Sequence, residues 1–208
     1  MVDSVLFDLD GTLWDATPGV TRTWNKALSD LGFKKVCTLD EVRRYMGMTL
    51  DKICSSMLGD EDPEKVRRLF DSISGGETEG ITLEGASLFP EERETLALLA
   101  RRYRLFIVSN CGRGYIEHFL DLFELGTYFT DLECFGGTGL PKGENIKIVC
   151  RRNALASPVY VGDTEGDRLA ALNAGVPFIH AAYGFGEVAS PDHAIYDLRQ
   201  LPVLLEKI

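Results

Sequence analysis

The sequence predicts an α/β fold: a doubly wound parallel sheet into which a helical segment is inserted. Short apolar runs alternate with amphipathic helical segments along most of the 208 residues, and such alternation is typical of parallel sheets covered by helices on both faces. One stretch, residues 16–85, breaks this alternation because its apolar residues recur only at helical spacing. We therefore expect an α/β core domain made of residues 1–15 and 86–208, and a helical domain made of residues 16–85.

Four apolar runs are predicted to form the buried strands of the sheet. They are short, rich in β-branched or aromatic residues and free of regular polar alternation, which is typical of parallel strands covered on both faces. In chain order they are residues 5–7, 105–108, 159–161 and 176–179. Amphipathic helices are predicted between and after them, at residues 91–102, 143–153 and 167–174.

The inserted segment is predicted to hold four helices that pack as a small bundle. Proline in the first turn marks the start of two of them, at Thr17-Pro18 and at Asp62-Pro63. Thr38 and Glu41 have the spacing of a capping box, which begins the second helix. The third helix is expected over residues 49–58.

Composition argues against several classes of protein. The 32 acidic residues outnumber the 22 basic ones and give a net charge of −10, so a nucleic-acid-binding protein or one held on an anionic membrane surface is not expected. No apolar run approaches the roughly 20 residues that span a bilayer. Five scattered cysteines without a CxxC pair favour free thiols in a reducing compartment, and we expect a cytoplasmic protein.

Polar side chains follow three of the predicted strands at the point where each strand ends. Asp8 and Asp10 follow the first strand, Ser109-Asn110 the second, and Asp163 the third. Because the carboxyl ends of parallel strands meet at one edge of a sheet, these side chains are expected to lie together.

The residue types at this edge favour phosphoryl transfer assisted by Mg²⁺. Asp8 and Asp10 leave an extended chain on the same side, and a divalent cation would relieve their repulsion, with Asp163 and Asp167 as further oxygen ligands. Oxygen ligands without His or Cys favour Mg²⁺ over zinc. Lys142, just before a predicted helix, would balance an anionic ligand or Asp8 itself. These residues predict a carboxylate nucleophile.

Two dipeptides are candidates for contact with phosphate oxygens. Gly11-Thr12 follows the aspartate pair, and Ser109-Asn110 ends the second strand. Both offer backbone N–H groups and a hydroxyl.

The four segments FDLDGT, VSN, PKGEN and VGDTEGD match, in order, the four motifs of the haloacid dehalogenase-like (HAD) phosphohydrolase superfamily. The resemblance covers the whole predicted core, and its phosphoglycolate phosphatase-like branch is the most similar. The inserted segment resembles the helical cap of the C1 type. The chain departs from the family at Gly143, where many relatives have proline, and at Ala16, where a serine is common.

The resemblance implies a role for each catalytic candidate. Asp8 would attack phosphorus and become an aspartyl-phosphate, while Asp10 would protonate the leaving oxygen and then activate water. Ser109 would hydrogen-bond the transferring phosphoryl group, with the Asn110 backbone as helper. Lys142 would stabilise the nucleophile and the developing charge.

The resemblance also implies the metal ligands. Mg²⁺ would be held by Asp8, by the main-chain carbonyl of Asp10 and by Asp163. Asp167 would bind it through water or orient the ligands around it. In the cap, Arg44 and Thr49 are candidates for substrate contact because relatives place such contacts near the glycine that corresponds to Gly47.

The predicted function is a Mg²⁺-dependent phosphatase of a small phosphorylated metabolite, such as phosphoglycolate or a sugar phosphate. A phosphomutase of the β-phosphoglucomutase type is the alternative, since it needs the same aspartates. It differs in that a second sugar hydroxyl, and not water, reacts with the intermediate. A third alternative is a non-enzymatic phospho-accepting receiver domain, which also has an acidic pocket and a lysine. The inserted helices and the aspartate pair after the first strand argue against it.

Overall fold

The computed structural model describes residues 2–59, 62–76, 78 and 80–208. Within this part of the chain, six strands form one parallel sheet and two short strands form a separate antiparallel ribbon. The eight strands are β1 Ser4–Phe7, β2 Trp14–Asp15, β3 Ser87–Leu88, β4 Arg104–Ser109, β5 Phe129–Cys134, β6 Pro158–Gly162, β7 Phe178–Ala181 and β8 His193–Ile195. The predicted α/β class is confirmed.

The sheet has the strand order β5-β4-β1-β6-β7-β8. β1 lies in its centre, with Val5 beside Leu105 of β4 on one side and Val159 of β6 on the other. The three strands run parallel, so their carboxyl ends reach the same edge. All four predicted strands are present, as β1, β4, β6 and β7.

Neither outer strand of the sheet, β5 or β8, is predicted from the sequence. β5 carries Thr130, Asp131 and Glu133 and is only partly buried, so it lacks the apolar run that marks a central strand. β8 has three residues, too few for any periodic signal.

β7 begins two residues later than predicted. Val176 still belongs to the end of the preceding helix, because its N–H donates to the carbonyl of Ala171 at 3.0 Å. Gly175 permits this turn with a φ of 72°, as is usual after a helix. The apolar run at residues 176–179 therefore includes the turn that ends the preceding helix as well as the first part of β7.

Helices cover both faces of the sheet, as expected for a doubly wound fold. The described chain has ten α-helices, those of the inserted segment included: α1 Thr17–Asp30, α2 Leu39–Tyr45, α3 Leu50–Leu58, α4 Pro63–Gly76, α5 Glu92–Leu99, α6 Tyr115–Leu122, α7 Phe135–Thr138, α8 Lys142–Arg152, α9 Glu165–Ala174 and α10 Leu201–Leu205. α8 and α9 cover the face that carries Leu6 and Tyr160. α5, α6 and α10 cover the opposite face, which carries Val5 and Phe7. Among the described residues, no helix has both the length and the apolar character to cross a bilayer.

The four predicted helices of the inserted segment are present as α1 to α4. The capping box at the start of α2 is confirmed: Glu41 N–H donates to Thr38 Oγ1, and Thr38 N–H donates to the Glu41 carboxylate. The two connections to this segment pair with each other, since β2 and β3 are antiparallel neighbours. The predicted domain boundaries, 15/16 and 85/86, lie at this ribbon. The division into two domains stays a prediction.

Candidate active site

The carboxyl edge of the sheet gathers the predicted site residues. Asp8 directly follows β1, Ser109 ends β4, and Asp163 directly follows β6. Lys142 is the first residue of α8. All four side chains are buried. The expectation that these segments meet at one edge is therefore confirmed, and the strand order explains why.

Three buried carboxylates share one lysine. Asp8, Asp163 and Asp167, hereafter the acid cluster, each offer a carboxylate oxygen within 4.8 Å of the others. Lys142 Nζ lies 2.8 Å from Asp8 Oδ1 and 2.6 Å from Asp167 Oδ1. Asp167 Oδ2 also accepts a hydrogen bond from the N–H of Thr164, in a capping box that begins α9. Asp167 thus serves both its helix and the cluster, two roles that its sequence position allowed.

The excess of negative charge shifts the pKa values in and around the acid cluster. Burial, and then the charge of Asp167, raise the pKa of Asp8 to about 6, although Lys142 lowers it. Burial and the two neighbouring carboxylates raise the pKa of Asp163 well above its ordinary value. Burial would lower the pKa of Lys142, but Asp167 and Asp8 outweigh it and raise that pKa. Lys142 therefore stays protonated, and its single positive charge does not balance the three carboxylates.

The acid cluster fits a hard divalent cation. Asp8 Oδ2 and Asp163 Oδ1 are buried and, among the residues that the structure describes, have no hydrogen-bond partner. Burying such oxygens without a partner is costly, and a cation would satisfy both. Because every candidate ligand is an oxygen, the chemistry of the set suits Mg²⁺.

A loop after β7 holds Asp163 in place. The N–H of Phe185 donates to Asp163 Oδ2 at 2.8 Å. Gly184 allows this approach, since a Cβ there would lie 2.3 Å from both Asp163 Cβ and the carbonyl oxygen of Gly11. This role of the loop is not predicted from the sequence. Its only signal was the pair of glycines around Phe185, which permits close backbone contact.

Asp10 is anchored through one oxygen. Trp14 Nε1 donates to Asp10 Oδ1 at 2.9 Å, and Tyr115 Oη donates to the same oxygen at 3.1 Å. The rings of Trp14 and Tyr115 pack edge to face, 5.4 Å apart. Burial, and then the charge of Asp8, raise the pKa of Asp10 to about 7, although both donors lower it. A carboxyl that titrates near neutral pH suits a group that gives and takes a proton.

Gly11 and Thr12 form the turn that follows Asp10. The N–H of Gly11 donates to the carbonyl of Trp14 at 2.9 Å, and that of Thr12 to the carbonyl of Leu9 at 3.2 Å. These two N–H groups, predicted as phosphate donors, therefore close the turn instead. Thr12 Oγ1 is buried without a partner among the described residues, but Thr12 does not line the cavity at Asp8 and Asp10.

Ser109 and Asn110 link the sheet edge to the inserted helices. Ser109 is buried beside the aspartates. Asn110 Nδ2 donates to the carbonyl of Gly47 at 2.8 Å, and its Oδ1 is buried without a partner in the described chain. The side chain of Asn110 thus connects the site to the turn before α3, a contact that the sequence analysis did not predict.

The sequence as a whole matches a known family. A family model described as haloacid dehalogenase-like hydrolase matches residues 5–181. The chain belongs to this family. The match includes all four motifs and the inserted helices, so the resemblance seen in the motifs is confirmed. It sets aside the receiver-domain alternative, whereas a phosphomutase would share the scaffold.

Relatives of this hydrolase align along nearly the whole chain. A phosphoglycolate phosphatase from Rhodobacter capsulatus is 30% identical over 99% of this chain and 98% of its own length. Another, from Vibrio parahaemolyticus, is 28% identical over 98% and 95%. A solved haloacid dehalogenase-like hydrolase from Streptococcus pneumoniae has the same fold, with a TM-score of 0.85 at 24% identity, covering 100% of this chain and 99% of its own. The predicted class of enzyme, a phosphoric monoester hydrolase of this family, agrees with these relatives.

The two substrate candidates in the inserted helices of this hydrolase lie in different settings. Thr49 is buried, and its hydroxyl has no partner among the described residues. Arg44 is exposed and does not line the cavity between the aspartates and the helices. Its neighbour Arg43 instead pairs with Asp15 of β2 at 3.1 Å and lies over the ring of Phe185 at 5.8 Å. Arg43 therefore ties the inserted helices to β2 and to the loop after β7.

Proposed function

We propose that this protein is a Mg²⁺-dependent phosphatase that hydrolyses a small phosphate monoester through an aspartyl-phosphate on Asp8. The observation that carries the proposal is the pairing of two unlike aspartates. Asp8 is a buried carboxylate fixed by Lys142, whereas Asp10, two residues on, has a pKa raised to about 7. One suits a nucleophile and the other an acid that becomes a base.

In the first step, an oxygen of Asp8 attacks phosphorus and the ester P–O bond breaks. Lys142 lies 2.8 Å from Asp8 Oδ1 and so fixes this carboxylate for the attack. Protonated Asp10 gives its proton to the leaving alcohol oxygen. The hydroxyl of Ser109 donates a hydrogen bond to the transferring phosphoryl group, and Lys142 offsets the charge that develops there.

In the second step, ionised Asp10 takes a proton from water as the water oxygen attacks phosphorus. The bond between phosphorus and Asp8 breaks, phosphate leaves, and both aspartates return to their starting states. Trp14 and Tyr115 hold one oxygen of Asp10, so that its other oxygen faces each reacting oxygen in turn.

Asp8 and Asp163 would hold Mg²⁺, together with the main-chain carbonyl of Asp10, and Asp167 would orient them. The bound cation would neutralise part of the acid cluster and allow a dianionic phosphate to approach it. The inserted segment, residues 16–85, would act as a C1-type cap over residues 1–15 and 86–208. The relatives named phosphoglycolate phosphatase support a small phosphorylated metabolite as substrate, and we place the enzyme in the cytoplasm.

The test measures phosphate release from a panel of monoesters, with Mg²⁺ and with a chelator. The panel includes 2-phosphoglycolate, sugar phosphates and p-nitrophenyl phosphate. We expect Mg²⁺-dependent release by the wild type and a loss of at least about a thousandfold in kcat for Asp8→Asn. Absence of release from every ester would refute the proposal. Conversion of a sugar 1-phosphate to its 6-phosphate would indicate the mutase instead.

A further inference from the structure

The cavity beside the aspartate pair, hereafter the reaction cavity, joins two unlike walls. The sheet edge contributes polar groups, among them Asp8, Asp10 and Ser109. The inserted segment contributes six apolar side chains: Val20, Trp24, Met46, Met48, Leu50 and Ile53.

The leaving group of the substrate must extend into this cavity. This step rests on the proposed function, in which Asp10 protonates the leaving oxygen. Asp8 and Asp10 both line the reaction cavity, so an ester oxygen within reach of them has its alcohol carbon there. The apolar wall of the inserted helices then faces that carbon and its substituents.

Among the described residues that line the reaction cavity, none is Lys, Arg or His. The cations nearby are engaged or directed elsewhere. Lys142 lies between Asp8 and Asp167, and Arg43 is paired with Asp15. Arg44 is exposed and outside the cavity.

A carboxylate on the leaving group would therefore lose its water without gaining a cation, and it would face the two aspartates. An uncharged apolar group would bury its surface against the six side chains. We propose that this enzyme prefers the phosphate monoester of an uncharged, largely apolar alcohol over 2-phosphoglycolate.

A second groove is the competing place for a substrate carboxylate. It opens on the other side of Asn110 and is lined by Thr49, Lys52 and Lys142. Lys52 is exposed and could meet an anion there. Neither catalytic aspartate lines this groove, which is why we assign the leaving group to the reaction cavity.

The test compares two esters of the same shape. Isobutyl phosphate replaces the carboxylate of 2-phosphoglycolate by an isopropyl group with equal numbers of heavy atoms. With Mg²⁺ and wild-type enzyme, we expect kcat/KM for isobutyl phosphate to be higher by about tenfold or more. An equal or higher value for 2-phosphoglycolate overturns the preference alone. No release from either ester or from p-nitrophenyl phosphate overturns the proposed function and this inference with it.

Variants locate the preference. Leu50→Arg places a cation in the reaction cavity. The value of kcat/KM for 2-phosphoglycolate, divided by that for isobutyl phosphate, should then rise by about tenfold. Leu83→Arg, the same change at an exposed position of the inserted segment, should leave the ratio unchanged. If Leu50→Arg loses its helical circular dichroism, Met48→Lys serves the same purpose. An unchanged ratio in a folded variant contradicts the proposal. Loss of 2-phosphoglycolate activity in Lys52→Met also contradicts it, because that result would assign the carboxylate to the second groove.

Discussion

At the scale of single residues, the two aspartates of the first motif differ because their neighbours differ. Asp8 faces a lysine and two further carboxylates, while Asp10 faces two uncharged donors. The raised pKa of Asp10, about 7, follows mainly from burial, and the two donors limit the rise. Trp14 and Tyr115 therefore set both the position and the acidity of the proposed acid and base.

Tyr115→Phe removes one of these donors. The pKa of Asp10 should rise, because a hydrogen bond that stabilises the ionised form is lost. Because the pKa is higher, the ionised form of Asp10, which activates water, is reached only at higher pH. We expect kcat to fall by about tenfold near neutral pH, with little change in KM, and its pH dependence to move upward. Steady-state kinetics across pH provide the measurement.

Tyr196→Phe is the matched control, since Tyr196 is exposed. It should leave kcat and the pH profile as they are in the wild type. If Tyr115→Phe behaves like this control, the hydrogen bond to Asp10 has no part in the reaction.

Asp8, Asp10 and Lys142 can be predicted as site residues from the sequence because each lies within a contiguous motif. The hydrogen bond from Trp14 cannot be predicted in this way, although Trp14 is only four residues from Asp10, because the direction of an indole N–H depends on the fold. Tyr115 lies 105 residues from Asp10, and no local pattern joins the two. Their contact exists only because α6 packs against the turn after β1.

At the scale of elements, the first residue of α5 is a buried acid. Glu92 is buried, and its Oε2 accepts a hydrogen bond from the N–H of Phe89 at 3.2 Å. Its Oε1 has no partner among the described residues. Burial raises the pKa of Glu92 well above its ordinary value of 4.5. The folded protein therefore binds a proton at Glu92 more tightly than the unfolded chain does.

This linkage makes stability depend on pH in a defined direction. Because the folded-state pKa of Glu92 is raised, its contribution is complete below the unfolded value of 4.5 and is lost as pH rises through the folded-state pKa. Glu92→Gln keeps the shape and removes the titration. As pH rises above about 4.5, the Tm of the variant should increase relative to that of the wild type, by about 2–4 °C for each 1 kcal/mol of stability that the wild type loses at Glu92.

Glu94→Gln, on the exposed side of the same helix, is the control and should show no such trend. A Tm difference for Glu92→Gln that stays constant with pH would mean that Glu92 is ionised in the folded protein.

At the scale of the whole molecule, the fold concentrates three carboxylates and one lysine where three strands end. Folding must bury these charges, and the single ammonium group offsets only part of their repulsion. A ligand that binds only the folded state stabilises it in proportion to its occupancy. Mg²⁺ is therefore expected to stabilise the protein as well as to assist the reaction.

We expect the Tm to rise with Mg²⁺ concentration, with a gain of about 2.7 kcal/mol at one hundred times the dissociation constant. Asp163→Asn should weaken this response, because it removes one of the carboxylates that would hold the cation. Differential scanning fluorimetry over a Mg²⁺ titration measures both. Asp121→Asn, at an exposed residue of α6, should respond as the wild type does. An equal response of the Asp163 variant would remove Asp163 from the ligand set.

The sequence by itself determined the fold class, the central strands, the four inserted helices and the identity of the charged site residues. These are local properties, because apolar periodicity and short motifs are written in neighbouring positions. Only the tertiary structure decided which oxygen of Asp10 is held, that the N–H groups of Gly11 and Thr12 close a turn, and that the loop at Gly184 supports Asp163. It also decided which apolar side chains face the aspartates. Those contacts join residues far apart in the chain, so they depend on how the helices and the sheet pack.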